Sequence, residues 1–147
     1  ERYKYAVLSY LFLPQVRNFY IYKKSTSVPL ESIDLDYIKT KNTTGRFGTN
    51  MLHFLKKNKY KVINPTSDVR RTYNLLRTKK LFAYLENELV FKSFIQNSKV
   101  YKRSDFHIVR LMKKDLGVYF GHAFLEKNPR FLKNFNKHAK RCSLTNR

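Results

Sequence analysis

Tryptophan is absent from this chain, cysteine occurs once, and glycine and proline occur four times each in 147 residues. The lone Cys142 excludes an intrachain disulfide and a multi-cysteine zinc site, and is compatible with a reducing compartment. So little glycine and proline argues against a low-complexity tail, and 42% hydrophobic residues are too many for simple disorder. Long apolar runs are missing as well: the longest, residues 5–13, is too short to cross a bilayer. The chain starts at Glu1 rather than Met, so a targeting segment is not judged from it. The scarcest class is acid. Ten Asp and Glu face 31 Lys and Arg, leaving a formal charge of +21.

That excess exceeds what solubility needs and points to nucleic acid first, an anionic membrane surface second. It is spread along both halves of the chain, as expected of a protein embedded in RNA. From Lys127 to the end there are seven Lys or Arg and no acid. Wound as a helix, residues 129–147 place Arg130, Lys133, Lys137, Lys140 and Arg141 on one side, opposite Phe131, Leu132, Phe135, Ala139 and Cys142. A solvated face would read the same way, but so many unneutralised cations favour a polyanionic partner.

In chain order, residues 16–22 read as a strand and residues 3–13 as strand or short helix. Residues 25–29 read as a turn, residues 50–58 as a short helix, and residues 61–63 as a brief strand. The run 64–67 reads as a boundary, with Thr66 or Ser67 as a helix cap. No Gly or Pro interrupts residues 68–97, which predicts one helix of about 45 Å. Its apolar residues fall in several sectors, so it needs cover on several sides, which neighbours in an assembly would supply. Arg70, Arg71, Arg77, Lys79 and Lys80 make its first half a phosphate-facing candidate. A further helix is predicted over residues 104–116, capped by Ser104 and stopped by Gly117. A short segment, residues 122–127, follows it.

Catalytic and metal constellations are weak. Asp34 with Asp36, and Glu86 with Glu88, lack a His or third acid at metal-site spacing and more simply balance nearby lysines. His53, His107, His122 and His138 are scattered, and His138 with Cys142 offers two ligands where zinc wants at least three. Cys142 also has no paired acid–base group to make it a nucleophile. Gly45-Arg46-Phe47-Gly48 before a short helix has the form of the loop with which K-homology domains clamp single-stranded nucleic acid, but a lone Gly-x-x-Gly is common by chance and reads first as a plain turn.

Two stretches carry a family resemblance. Asp68-Val69-Arg70-Arg71, Lys79-Lys80-Leu81-Phe82-Ala83-Tyr84-Leu85-Glu86 and Lys92-Ser93-Phe94-Ile95-Gln96-Asn97 form the first. Pro129-Arg130, followed by Arg141-Cys142-Ser143-Leu144-Thr145-Asn146-Arg147, forms the second. Over residues 66–147 the chain resembles the small-subunit ribosomal protein S-fourteen family in its long, zinc-free bacterial and organellar form. The resemblance implies rRNA contacts in the head of the subunit by Arg130, Lys137, Lys140, Arg141 and Arg147. Residues 1–65 have no counterpart in it, and the family's C-terminal portion is lacking, which implies a second polypeptide or an incomplete copy.

The sequence reading is therefore a mainly α chain with extended segments: a small α+β extension at 1–65, then a long helix and a basic helical tail, not a self-sufficient globule. Its expected role is structural and non-enzymatic, without cofactor or metal, in a mitochondrial ribosome among rRNA and neighbouring ribosomal proteins, and not at a membrane. The mitochondrial placement, with another organelle or the cytoplasm as alternatives, rests on a composition rich in Lys, Asn, Tyr, Phe and Ile, as the AT-rich genes of organelles and some parasites encode. The alternatives are a stand-alone RNA-binding module and, behind it, an RNA-processing enzyme using Asp34 or Glu86.

Overall fold

Among the described residues, strands alternate with short helices instead of giving way to long ones. The structure, a computed structural model, describes residues 4–9, 13–63 and 65–145, with side chains at all of these except 13, 14, 114–116 and 142–145. The order is β1 (Ala6–Leu8), β2 (Leu13–Tyr22), α1 (Leu35–Lys39), β3 (Thr43–Gly45), α2 (Asn50–Lys57), α3 (Val69–Arg77), β4 (Ala83–Asn87), α4 (Glu88–Gln96), β5 (Phe106–Leu116), β6 (Tyr119–Gly121), α5 (His122–Lys127) and α6 (Phe131–Thr145). They divide into two compact units, one of Val16–Met112 and one of the chain before and after it. The larger unit is thus continuous in sequence and the smaller is not.

In the larger unit the sheet order is β3-β4-β2-β5. β3 runs parallel to β4, with Thr43 opposite Ala83 and Gly45 opposite Leu85. β2 runs antiparallel to β4, with Phe19 opposite Leu85 and Tyr20 opposite Tyr84. Successive side chains on a strand point to opposite faces, and here both faces are covered. Phe19, Ile21, Ala83 and Leu85 pack with Ile38 of α1 and with Met51 and Leu55 of α2. Tyr20 and Tyr84 pack on the other face with Tyr73 and Leu76 of α3, Phe91 of α4 and Phe106 of β5. Five of the seven buried residues of this second layer are aromatic. Tyr20 stacks on Phe91 at 3.9 Å, Tyr73 stacks on Phe94 at 4.0 Å, and Tyr73 meets Tyr84 edge-on at 5.5 Å. Each such pair adds about 0.5–1.5 kcal/mol beyond its buried area.

Local chemistry sets the helix starts. Asp34 accepts from the Tyr37 amide at the head of α1, Asp68 from the Arg71 amide at α3, and Asn87 from the Leu89 amide at α4. Thr66 accepts from the amide of Asp68 instead of capping α3 itself. A Cβ on Gly45 would lie 3.2 Å from the Leu52 nitrogen and 3.3 Å from the Met51 carbonyl carbon, so its missing side chain lets β3 lie against α2.

In the smaller unit β1 pairs antiparallel with β6, Val7 opposite Phe120. Phe120 gathers Phe131 and Phe135 of α6 at 5.0 Å each. The apolar side expected of the basic tail is therefore used within the chain.

Several expectations are corrected. The fold is α/β with two packed core layers, not a mainly α chain lacking a core of its own. The single helix over residues 68–97 is instead α3, a turn with Lys79 at φ 61°, β4 and α4. Apolar residues appeared on every side because a strand buried on both faces lies between two helices, each with its own stripe. The helix over residues 104–116 is a one-turn 3₁₀ segment, Arg103–Asp105, followed by the strand β5. Ser104 caps nothing there; Asp105 accepts from the amide of Lys102. The strand over residues 16–22, the short helix over 50–58, the segment 122–127 and the helical tail do form. Residues 61–63 contribute an isolated parallel bridge, Val62 to Thr43.

The hydroxyls of two buried tyrosines differ sharply in environment. That of Tyr84 donates to Glu86 Oε2 at 2.5 Å, while that of Tyr73 finds no hydrogen-bond partner among the described residues. Tyr84→Phe leaves a buried carboxylate short of a donor and should lower unfolding free energy by about 1.5–3 kcal/mol. Tyr73→Phe should equal the parent or exceed it by up to about 1–3 kcal/mol, because a buried hydroxyl without a partner carries a desolvation cost that its removal relieves. Urea titrations of both variants measure the contrast. Gly45→Ala should cost about 1–3 kcal/mol in the same experiment, since the colliding atoms are backbone.

Burial pushes the Tyr20 phenol up to about 12 and raises Tyr73 and Tyr84 further. A raised folded pKa favours the protonated phenol in the native state. Stability from these groups is thus complete below about pH 10, the value in the unfolded chain, and falls as pH rises through 12. Unfolding free energy measured against pH should hold level across neutrality and fall beyond pH 10.

Candidate ligand site

Parallel pairing brings the carboxyl ends of β3 and β4 to one edge of the sheet, the edge at which open α/β sheets form their crevices. Because Gly45 stands opposite Leu85, the next residues, Arg46 and Glu86, leave the ladder together. β2 enters from the same edge, with Arg17 opposite Asn87 and Asn18 opposite Glu86. Arg17, Arg46, Glu86 and Asn87 thus meet there although 70 positions separate the first from the last.

Glu86 is fully buried. Its Oε2 accepts from Tyr84 and lies 3.6 Å from Arg46 Nε, and its Oε1 accepts from the Asn87 amide at 2.8 Å. A buried carboxylate is costly unless paired and hydrogen-bonded, and this one is both. The pairing works in reverse too: Glu86 holds one side of the Arg46 guanidinium. The Arg46 side chain is one-third exposed.

After Arg46 the chain turns sharply. Gly48 takes φ +74°, a conformation that a side chain would strain, and Thr49 donates through Oγ1 to the Arg46 carbonyl at 2.7 Å. The amide of Phe47 donates to the Thr66 carbonyl at 3.0 Å, and the Phe47 ring is exposed. α2 then starts at Asn50, and no side chain caps it. Its first amides and the positive end of its dipole lie next to the turn that begins with Arg46. A guanidinium and uncapped helix amides are each groups that bind oxyanions, and here both belong to one strand-to-helix turn.

The sequence-predicted phosphate contacts lie elsewhere. Arg70, Arg71 and Arg77 are exposed on α3, and Lys79 and Lys80 follow it. Arg130 precedes α6, and Lys133, Lys137, Lys140 and Arg141 are on it, in the other compact unit. Arg147 lies outside the described residues, and so does the side chain of Cys142. The structure therefore divides these cations between two units. Among the candidate acids, Asp34 is a helix cap, Asp36 follows it in α1, and Glu88 pairs with Lys92 one turn along α4 at 3.2 Å. Burial and the nearby Lys23 lower the pKa of His107 against a smaller opposing effect of Glu31. No group of three or more His, Cys, Asp or Glu able to hold a metal occurs among the described residues. The residues missed by sequence reasoning are Arg17 and Thr49, together with the pairing of Arg46 to Glu86. The signal for the turn, Gly45-Arg46-Phe47-Gly48 before an amphipathic helix, was visible, but its neighbour across the sheet was not.

No protein-family model and no curated protein sequence matches this chain. Solved structures do. A mutant of the arginine-binding protein ArgBP from T. maritima superposes with a TM-score of 0.66 at 13% identity, over 98% of this chain and 58% of that one. The amino acid ABC transporter substrate-binding protein AbpA from Streptococcus pneumoniae, bound to L-arginine, gives 0.66 at 12% identity over 99% and 58%. The GluR0 ligand-binding core from Nostoc punctiforme, in complex with L-glutamate, gives 0.65 at 16% identity over 97% and 65%. The chain spans less than two thirds of the length of each. This likeness overturns the resemblance to the ribosomal S-fourteen family, and with it the ribosomal role, the rRNA and ribosomal-protein partners, the second polypeptide and the mitochondrial placement. All three are named for what they bind and not for a reaction, and the expectation that this chain is not an enzyme agrees with them. The chain shares its fold with the matched portion of these structures.

Proposed function

We propose that this chain binds a small solute and recognises its carboxylate, that of an amino acid first, at the carboxyl edge of β3 and β4. One observation carries the reading: Arg46, held by the buried Glu86, opens the turn that leads into the uncapped first turn of α2. The guanidinium supplies a charged fork and the helix supplies directed amides, so a carboxylate exchanges water for several charge-assisted hydrogen bonds. The exposed ring of Phe47 offers an apolar surface next to them. Solved structures of the same fold, crystallised with arginine, glutamine or glutamate, support the class of ligand. No chemical step is involved; binding and release are the function.

The test is thermal and calorimetric titration of the chain with L-arginine, L-glutamine and L-glutamate, beside agmatine, which lacks the α-carboxylate. At tenfold excess over Kd a bound amino acid stabilises the native state by about 1.4 kcal/mol. Agmatine should give no shift. Arg46→Lys keeps a cation opposite Glu86 but loses the fork, and should weaken binding about tenfold with little change in stability. A shift with agmatine equal to that with arginine, or full affinity in Arg46→Lys, removes the carboxylate receptor.

A further inference from the structure

Away from that edge, α3, α4 and residues 97–101 enclose an open groove of about 940 Å³. Its apolar lining comes from Val69, Leu89, Val90, Phe94, Val100 and Tyr101. Leu89 is 56% exposed and Val100 65%, large values for aliphatic side chains lining one concave surface. The charged residues lining the groove are Arg70, Arg77 and Lys99, all cations. Arg70 and Arg77 are seven positions apart on one helix. That spacing brings them to within about 20° of the same side, about 10.5 Å apart along the axis.

From this geometry we propose that the groove receives an acidic amphipathic helix of another protein. An apolar stripe at i, i+3, i+4 and i+7 fills the space between α3 and α4, and carboxylates two turns apart meet Arg70 and Arg77. A second copy of this chain is a poor occupant. Its ten acids are scattered among 31 cations, and none of the helices among the described residues presents a carboxylate row. A concave apolar floor also suits an inserted helix better than a flat lipid surface.

The probe is a fluorescein-labelled synthetic peptide of about 15 residues with leucines at i, i+3, i+4 and i+7 and glutamates seven apart, beside a scrambled peptide of identical composition. Anisotropy with the full chain should show the ordered peptide binding at least about tenfold more tightly than the scramble. Leu89→Asp should abolish that preference. Arg70→Ala with Arg77→Ala should weaken binding about fivefold or more and flatten its salt dependence. Lys133→Ala with Lys137→Ala, on α6 in the other unit, should leave it unchanged, and circular dichroism melts verify that each variant is folded. Equal binding of the scramble, or equal loss in the α6 variant, would reduce the groove to diffuse attraction by a protein of charge +21. Displacement of the peptide by phosphatidylglycerol vesicles, lost in the same groove variants, would overturn the proposal in favour of a lipid surface.

Discussion

The structure depends on β4 being buried on both faces and paired on both edges. All five of its residues are buried, β3 and β2 flank it, and helices cover either side. A strand in that position leaves nowhere for a charged side chain except its end. Glu86 is near that end, and its carboxylate is tolerable only because Tyr84, the Asn87 amide and Arg46 surround it. The same constraint that makes the core thus makes the site: an arginine held in place where β3 turns into α2.

Burial on two faces also explains the aromatic layer. Tyr20, Tyr73, Phe91, Phe94 and Phe106 fill the space between sheet and helices with large rings, without any tryptophan. Stacked and edge-on contacts let these rings pack at several angles, so the layer does not require one particular set of residues. That tolerance is consistent with a shared fold at 12–16% identity to the matched structures. What such a fold binds is decided by the few residues at the strand ends and not by the layers.

Local features were legible in advance. The aromatic and β-branched run 16–22 is a strand, the amphipathic residues 50–58 form α2, and the tail is a helix with an apolar side. Residues 68–97 were misread because good helix formers on both sides of β4 concealed five strand residues with no polar alternation. The strand β5 was misread for a similar reason, since Ser104 and the lysines near its end imitate a helix start and stop. The ribosomal resemblance rested on short strings such as Arg141-Cys142-Ser143-Leu144-Thr145, and a string that short imposes almost no constraint on the fold. Charge was a weak guide as well. A surplus of cations says that acids are few, and it does not say which surface gathers them.

The sequence by itself determined the basicity, the absence of an intrachain disulfide, the strand over residues 16–22, the short helix over residues 50–58 and the helical tail, because these depend on composition or on residues close together in the chain. Tertiary structure decided the rest. Only pairing across the sheet puts Arg46 beside Glu86, 40 positions away, and only packing of α3 against α4 opens the groove lined by Arg70, Arg77 and Lys99. The physical reason is the range of the forces involved. Caps and turns are local hydrogen bonds, whereas a strand buried on both faces is stable only once distant segments have closed over it.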